Sequence, residues 1–428
     1  MNFQGDSRNV QYITEKDIKF VLSEYGFGDC VVENYSVHYV GDKMVGFGAD
    51  YLKLQVPVTS NNKRQQHYFF VKAVSLTNTA KANMDKEMGT FDNERLFHDV
   101  IQRNIAVPGM QPWSAQFVSC LENALVFEDL SALQYEMRSR FTKFDEQHTQ
   151  QALQALARFH ASSIIFEETR TKELQRPYTL EEQYNEQLGT GGFIETDSWF
   201  IQCRIGALEA VKAFSKYRNL DIMKIIENRW NTVFNSVLIL AEPSKEHRNV
   251  LCHRDLWNNN MLFHYKRLED GSVVPDNCVF VDFAAVRCMP PAGDVMQLLH
   301  CNLTPRYRKQ NLDYFLSYYY DELKLVLENH SIDIEEFLTK YNFMSSAKEH
   351  NLWGLVTHAC LMQTFWLDDD MMTNISKDSA LFDEIMLNDK TTFMKNMMKN
   401  DKDYKKVILE VLDEFIEQYI LNEDEIKI

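Results

Sequence analysis

The sequence predicts an α+β fold in which a small antiparallel sheet carrying one main helix precedes a larger, mostly helical part. Three observations predict it. Short runs rich in β-branched and aromatic residues, separated by glycine or polar breakers, fill the first third of the chain. Helical spacing of apolar residues dominates after about Leu130. Two short β-rich runs interrupt those helices.

Taken in order, residues 31–40, 51–58 and 67–75 read as strands. Gly41, Gly46 and Gly48 separate the first two, and the polar stretch Ser60-Asn61-Asn62-Lys63 separates the second from the third. The second and third form a hairpin. A helix is expected over 84–101 through Met88, Phe91, Leu96 and Val100, then two short strands over 116–120 and 124–127. In residues 146–166 the side chains of Leu153, Leu156, Phe159, His160 and Ile164 line one helix face. Further helices are expected over 205–241, 305–328, 333–342 and 403–421. Asp333 with Glu336 reads as a helix start, because a short acceptor caps the free amides and the glutamate answers it. The interrupting strands are 261–265 and 278–283, and the acidic Asp368-Asp369-Asp370 reads as a solvated loop. Two lobes are therefore expected, residues 1–128 and residues 129–428.

A chain of 428 residues with 45% hydrophobic and 25% charged residues has the balance of a globular protein with a sizeable core. Its net charge of −17 argues against nucleic acid or an anionic membrane as the main partner, since both reward basic surfaces. The first residues lack the basic start and apolar stretch of a secretory signal, and no apolar run is long enough to cross a bilayer. A cytoplasmic location is expected. The eight cysteines are scattered without a Cys-x-x-Cys pair, which reads as buried thiols and not as a disulfide framework or a zinc site.

The stretch Cys252-His253-Arg254-Asp255-Leu256-Trp257-Asn258-Asn259-Asn260 carries the chemistry. His-Arg-Asp with an asparagine five residues after the aspartate is the catalytic-loop pattern of kinases. Phosphoryl transfer needs a carboxylate to orient the attacking hydroxyl, which Asp255 fits, and an amide oxygen for a metal beside the phosphates, which Asn260 fits. Alone, the stretch would also suit a polar turn. Downstream, Val279-Phe280-Val281-Asp282-Phe283 ends an apolar run in a second carboxylate, placing Asp282 as the other metal ligand. Upstream, Phe69-Phe70-Val71-Lys72-Ala73-Val74 sets a lysine in an apolar strand, where an ammonium needs an anionic partner. Lys72 would hold the α- and β-phosphates and Glu94 would fix it in place, with Glu87 and Asp92 as rivals for that role. A snorkelling edge-strand lysine is the plainer reading of Lys72 by itself.

Gly46-Phe47-Gly48 is a candidate flap over the phosphates, though a hairpin loop also explains these glycines, and Tyr51 stands where protein kinases have a third glycine. The connector Leu125-Val126-Phe127-Glu128-Asp129-Leu130 would offer backbone groups to adenine, with Glu128 and Leu130 as its contacts. The plainer reading of its carboxylates is as caps of the next helix.

The chain resembles the insect ecdysteroid-kinase-like family with its choline-kinase-like domain. The resemblance rests on the lysine strand, on Phe91-x-x-Glu94, on Phe127-Glu128-Asp129-Leu130, on Leu156-Ala157-Arg158-Phe159-His160-Ala161, on His253-x-Asp255-x-Trp257-x-x-Asn260, and on Val281-Asp282-Phe283 followed by Pro291-x-x-Asp294. It implies a bilobal, protein-kinase-like fold, use of ATP with Mg²⁺, and phosphorylation of a steroid or other lipophilic alcohol. The N-terminal lobe would cover the nucleotide, and the C-terminal lobe would hold the catalytic loop and the substrate pocket. Asp294 would brace the catalytic loop, and His160 is expected as a hydrogen-bonded core histidine. Two positions depart from the family pattern: Arg254 where glycine is usual, which adds a cation of unknown partner, and Ala284 where glutamine is usual. Trp353, Leu355, Phe365, Trp366, Met371 and Met372 are expected to line an apolar pocket, although ordinary core is the plainer reading for any one of them.

Three other readings compete. A binding protein that keeps a kinase fold without the reaction is disfavoured because the lysine, the base and the metal ligands all stand. A protein kinase is disfavoured by the absence of Asp-Phe-Gly and Ala-Pro-Glu. A choline or aminoglycoside kinase is separable by testing cationic against neutral alcohols.

Overall fold

The computed structural model describes residues 12–28, 31–32, 34–41, 48–60, 63–188 and 192–422. The chain forms two compact units. The first comprises Met1–Glu87, Ala115–Leu133 and Asp369–Phe382, and the second comprises Met88–Ser114, Gln134–Asp368 and Asp383–Ile428.

The first unit opens on helix α1 (Glu15–Glu24), started by a capping box between Thr14 and Asp17. Its sheet holds β1 (Val31–Val32), β2 (Ser36–Tyr39), β3 (Asp50–Ser60), β4 (Lys63–Ala73), β5 (Phe117–Cys120) and β6 (Ala124–Glu128). The order β1-β3-β4-β6-β5, with β2 also paired to β3, puts β4 in the middle. The expected hairpin is β3–β4, closed by the pair Ser60 and Lys63. The expected strand 31–40 is two strands, β1 and β2. Phe69, Val71 and Ala73 point into a core shared with Ile18, Val21 and Leu22 of α1. Because side chains alternate along a strand, Lys72 points to the opposite face, as do its cross-strand partners Tyr51 and Leu125. Helix α2 (Thr79–Met88) is tied to the sheet by Lys81, whose Nζ lies 3.6 Å from buried Asp50.

The helix expected over 84–101 is broken. Gly89 has φ +65°, a left-handed conformation that ends α2 and that a residue with a Cβ adopts at a cost. Helix α3 (Thr90–Leu96) then starts anew and runs into a π-helical turn at Phe97–Gln102. Val100, read as part of the apolar face, is exposed. The π turn instead buries Phe97, His98 and Ile101.

The second unit is built on α4 (Glu146–Leu174), longer than its apolar face required and capped by Asp145. The helix expected over 205–241 is interrupted, as Ser198–Phe214, Leu220–Asn235 and Val237–Leu240. Small sheets lie beside these helices. β7 (Glu136–Met137), β9 (Met261–Arg267) and β10 (Val273–Phe280) form one, and β8 (Val250–Cys252) pairs with β11 (Arg287–Met289) in another. Helices α5 (Pro291–Asn302) and α6 (Asn351–Phe365) cross closely. At Gly354 an added Cβ would come within 2.6 Å of the Met296 carbonyl oxygen, so glycine permits the approach.

Asp333 caps only a 3₁₀ turn at Ile334–Glu336, and the helix itself begins at Lys340 under Thr339. Of the acidic triplet only Asp368 stays outside a helix: Asp369 and Asp370 form the first turn of a helix over Asp369–Lys377, where their charge suits the N-terminal dipole. Seven described cysteines are free thiols, six of them buried. Among the described residues no helix is long and apolar enough to cross a membrane.

Candidate active site

Residues 253–260 form the loop between β8 and β9, closed by a 3₁₀ turn at Asn258–Asn260. Residues 281–286 connect β10 to β11. Since β9 and β10 pair with Met261 opposite Phe280, the two loops emerge side by side, and Val281 N–H donates to the Asn260 carbonyl at 3.1 Å. Strand pairing thereby sets the loop that carries Asp255 and Asn260 beside the one that carries Asp282.

Within the loop, Asn260 Nδ2 donates to the Asp255 Oδ2 at 2.7 Å and to the Asp255 carbonyl at 2.9 Å. That orientation turns the amide oxygen of Asn260 away from Asp255. His253 is fully buried and its Nε2 reaches the Val281 carbonyl at 3.0 Å, joining the two loops. Burial lowers the His253 pKa, against the pull of Asp294 and Asp282, so the ring is neutral and Nε2 carries the proton. Asp282 has φ +66° and Arg254 has φ +67°, both left-handed and both rare for residues with a Cβ. Such strain persists where the surroundings enforce it, and here one outlier precedes Asp255 and the other is Asp282 itself.

What enforces it is a buried scaffold. Asp294, wholly buried on α5, accepts from the N–H groups of His253 at 2.6 Å and Arg254 at 2.9 Å, and His160 Nε2 lies 3.1 Å away. Burial pushes the Asp294 carboxyl up, but the His160 hydrogen bond and the neighbouring His253 outweigh it and hold the pKa below the ordinary value. His160 also meets the Tyr319 hydroxyl at 2.6 Å, the hydrogen-bonded core role expected of it. One turn further on, Gln297 accepts from Leu256 N–H and donates to the Arg254 carbonyl, and Asn302 donates to the Leu256 carbonyl. The roles of His253, Gln297 and Asn302 escaped the sequence reading. Gln297 follows Asp294 at helical spacing, a signal visible only once Asp294 is placed against the loop.

Helix α3 holds the second loop. Glu94 Oε1 accepts from Phe283 N–H at 3.2 Å, and Asn93 Nδ2 donates to the carbonyls of Ala284 and Val286. Phe283 stacks on Phe97 with ring centroids 4.4 Å apart. Glu94 is 1% exposed, whereas the rivals Glu87 and Asp92 are exposed. Ala284 takes part in this hold through its backbone carbonyl.

Arg254 has partners after all. Its guanidinium lies 5.4 Å from the Trp353 ring centroid and 5.8 Å from that of Phe193, and Nη1 donates to the Ala285 carbonyl. Burial and the nearby Arg287 bring its pKa down to about 10, so it remains a cation. Trp353 is thus core, as are Leu355 and Met372, and the expectation that these three line a pocket is corrected. Phe365 and Trp366 are half-buried, and Phe365 stacks on Trp257 at 4.1 Å.

In the first unit, Lys72 is 8% exposed on the central strand, which sets aside the edge-strand reading. At the end of β6, Glu128 accepts from the Tyr25 hydroxyl, while Asp129 takes Lys53 at 3.0 Å and caps the turn at Ser131. These carboxylates brace the connector and cap no helix. Leu130 is buried. Gly48 precedes β3 without a positive φ and with open space around a notional Cβ. Gly46 lies outside the described residues.

The class is that of a small-molecule kinase with a protein-kinase-like α+β fold, and the family match carries it. The family is defined as well, since the sequence model of the ecdysteroid kinase-like family matches residues 43–331, and the chain belongs to that family. No curated protein matches the chain. Among solved structures it is similar to an ethanolamine kinase of Plasmodium vivax, at 14% identity and a TM-score of 0.42 over 88% of this chain and 92% of that one. A choline/ethanolamine kinase family protein from Mesorhizobium loti gives 10% identity and 0.34 over 88% and 94%. The GDP complex of aminoglycoside 2′-phosphotransferase-IIIa gives 12% identity and 0.35 over 94% and 98%.

Proposed function

We propose that the protein transfers the γ-phosphoryl group of ATP to a hydroxyl of a lipophilic alcohol, an ecdysteroid or a related steroid or xenobiotic, in the cytoplasm. The observation that carries this reading is the Asp255–Asn260 hydrogen bond set beside the left-handed Asp282. Asp255 orients the acceptor hydroxyl and takes its proton late in the transfer. The amide oxygen of Asn260 and the carboxylate of Asp282 are hard oxygen donors, a set that suits Mg²⁺. Bound there, Mg²⁺ neutralises charge on the phosphates. Lys72 engages the α- and β-phosphates, steadied by Glu94. Gly48 covers the phosphates, and the backbone between Glu128 and Leu130 meets adenine. His253, held neutral, keeps the two loops in register.

Two substitutions test the nucleotide half. Asp282→Ala loses metal-dependent ATP binding, and Lys72→Met weakens the phosphate contacts. Each lowers the transfer rate by roughly two decades or more, the scale of losing one preorganised electrostatic contact. Calorimetric titration with MgATP and a product assay read both effects. Undiminished MgATP binding by the Asp282 variant refutes the assignment. A phosphotransfer screen over steroid, choline and xenobiotic alcohols, read by mass spectrometry, tests the acceptor half.

A further inference from the structure

A basic segment lies against the catalytic loop on the side of Trp257. Asn258 Nδ2 donates to the Ser139 carbonyl at 2.7 Å, Arg140 Nη2 donates to the Leu367 carbonyl at 2.6 Å, and Lys143 Nζ donates to the Cys301 carbonyl at 2.8 Å. Around these contacts stand two aromatic pairs. Trp257 stacks on Phe365, and Phe141 meets Trp366 edge-on at 5.2 Å. Two of the four rings already hold a cation. Lys143 Nζ is 5.4 Å from the Trp366 centroid, and the Arg140 guanidinium is 4.8 Å from that of Phe141. The Cys301 thiol feels the charges of both Lys143 and Asp255, so the lysine and the proposed base share one neighbourhood.

Aromatic rings beside a hydroxyl-binding site are what a choline-like cation would seek, since its charge is held by ring faces. We propose that Lys143, with Arg140, is a specificity-determining cation of the acceptor site, occupying the Trp366 and Phe141 rings so that uncharged hydroxyl compounds are accepted and ammonium alcohols are refused. The inference rests on the reading that Asp255 holds the acceptor hydroxyl. The acidic net charge of −17 attracts cations from a distance, but a like charge within a few ångströms in a partly dry site outweighs that screened attraction.

The exclusion carries a pH signature. Burial, reinforced by Arg308 and opposed by Cys301 and Glu410, brings the Lys143 pKa down to about 8. Below that value the lysine is charged and repels; above it the lysine is neutral and the repulsion is lost. The groups facing Lys143 are Cys301 on α5, Arg308 on the helix Pro305–Glu328, Glu410 on the helix Lys402–Phe415 and His358 on α6, and Asp255 on the loop acts on the same Cys301 thiol. The Cys301 thiol is pushed up to about 12 and His358 is held well below its ordinary value, so neither changes charge around pH 8. The quaternary charge of choline does not titrate.

The test is a calorimetric titration of the full chain with choline, well below and well above pH 8. Wild type is expected to bind choline roughly tenfold or more tightly at the higher pH, the scale of relieving one close like-charge contact. Lys143→Met is expected to bind it at the raised affinity at both. A wild-type affinity that does not rise with pH overturns the proposal, and that arm needs no variant to fold. So does a Lys143→Met protein that binds choline no better than wild type at the lower pH. A neutral polyhydroxylated steroid titrated alongside separates the two ideas: if it does not bind while choline behaves as described, the steroid acceptor is wrong and the exclusion by Lys143 stands.

Discussion

Asp255→Asn is expected to lower phosphotransfer by about two to four decades, the range for losing a positioned general base, with MgATP affinity close to that of wild type. The asparagine side chain is nearly the same shape, and its oxygen can still accept the hydrogen bond that Asn260 Nδ2 gives to Asp255 at 2.7 Å. What is lost is the ability to take a proton. The loop stays folded, because its braces act on the backbone of His253, Arg254 and Leu256. Product formation measured beside nucleotide titration checks both halves, and substantial turnover by the variant refutes the role given to Asp255.

Asp294→Ala is expected to cost about 3–5 kcal/mol of stability, the scale of breaking a buried charged network from one side. The alanine leaves two buried N–H donors and the His160 ring without their acceptor, in a place 0% exposed. Urea unfolding reads the loss. The Asp294 pKa is held below its ordinary value, so this stability is present at neutral pH and is lost as pH falls through the folded-state pKa. The gap between wild type and variant therefore narrows in acid. An unchanged unfolding midpoint at neutral pH contradicts the bracing role.

The elements legible in the sequence were those whose pattern is local. The β3–β4 hairpin announced itself by β-branched runs around a polar turn, and α4 by an apolar stripe of regular spacing. The catalytic loop was legible because its residues are close in sequence. Other features depend on distant parts of the chain. Gly89 reads as one tolerable glycine inside a helix until its left-handed backbone divides α2 from α3. β7, β8 and β11 are two or three residues long, too short for any period to register. The segment Asp369–Phe382 returns to the sheet unit, where Asn78 Nδ2 donates to the Ser376 carbonyl and the Thr79 and Ser379 hydroxyls meet. No composition shift marks that return. Trp353 looked like pocket lining because an aromatic residue in a helix does not say which side chain covers it; here Arg254 does.

The central claim is transfer of a phosphoryl group from ATP to an uncharged alcohol by the Asp255 loop. Its most direct test is incubation of the full chain with Mg²⁺, ATP labelled in the γ-phosphate and a neutral polyhydroxylated steroid, with choline in parallel. A labelled steroid phosphate ester, formed by wild type and lost in Asp255→Asn, is the predicted result. Label on choline and none on the steroid, or MgATP bound tightly with no ester on any hydroxyl compound, contradicts it.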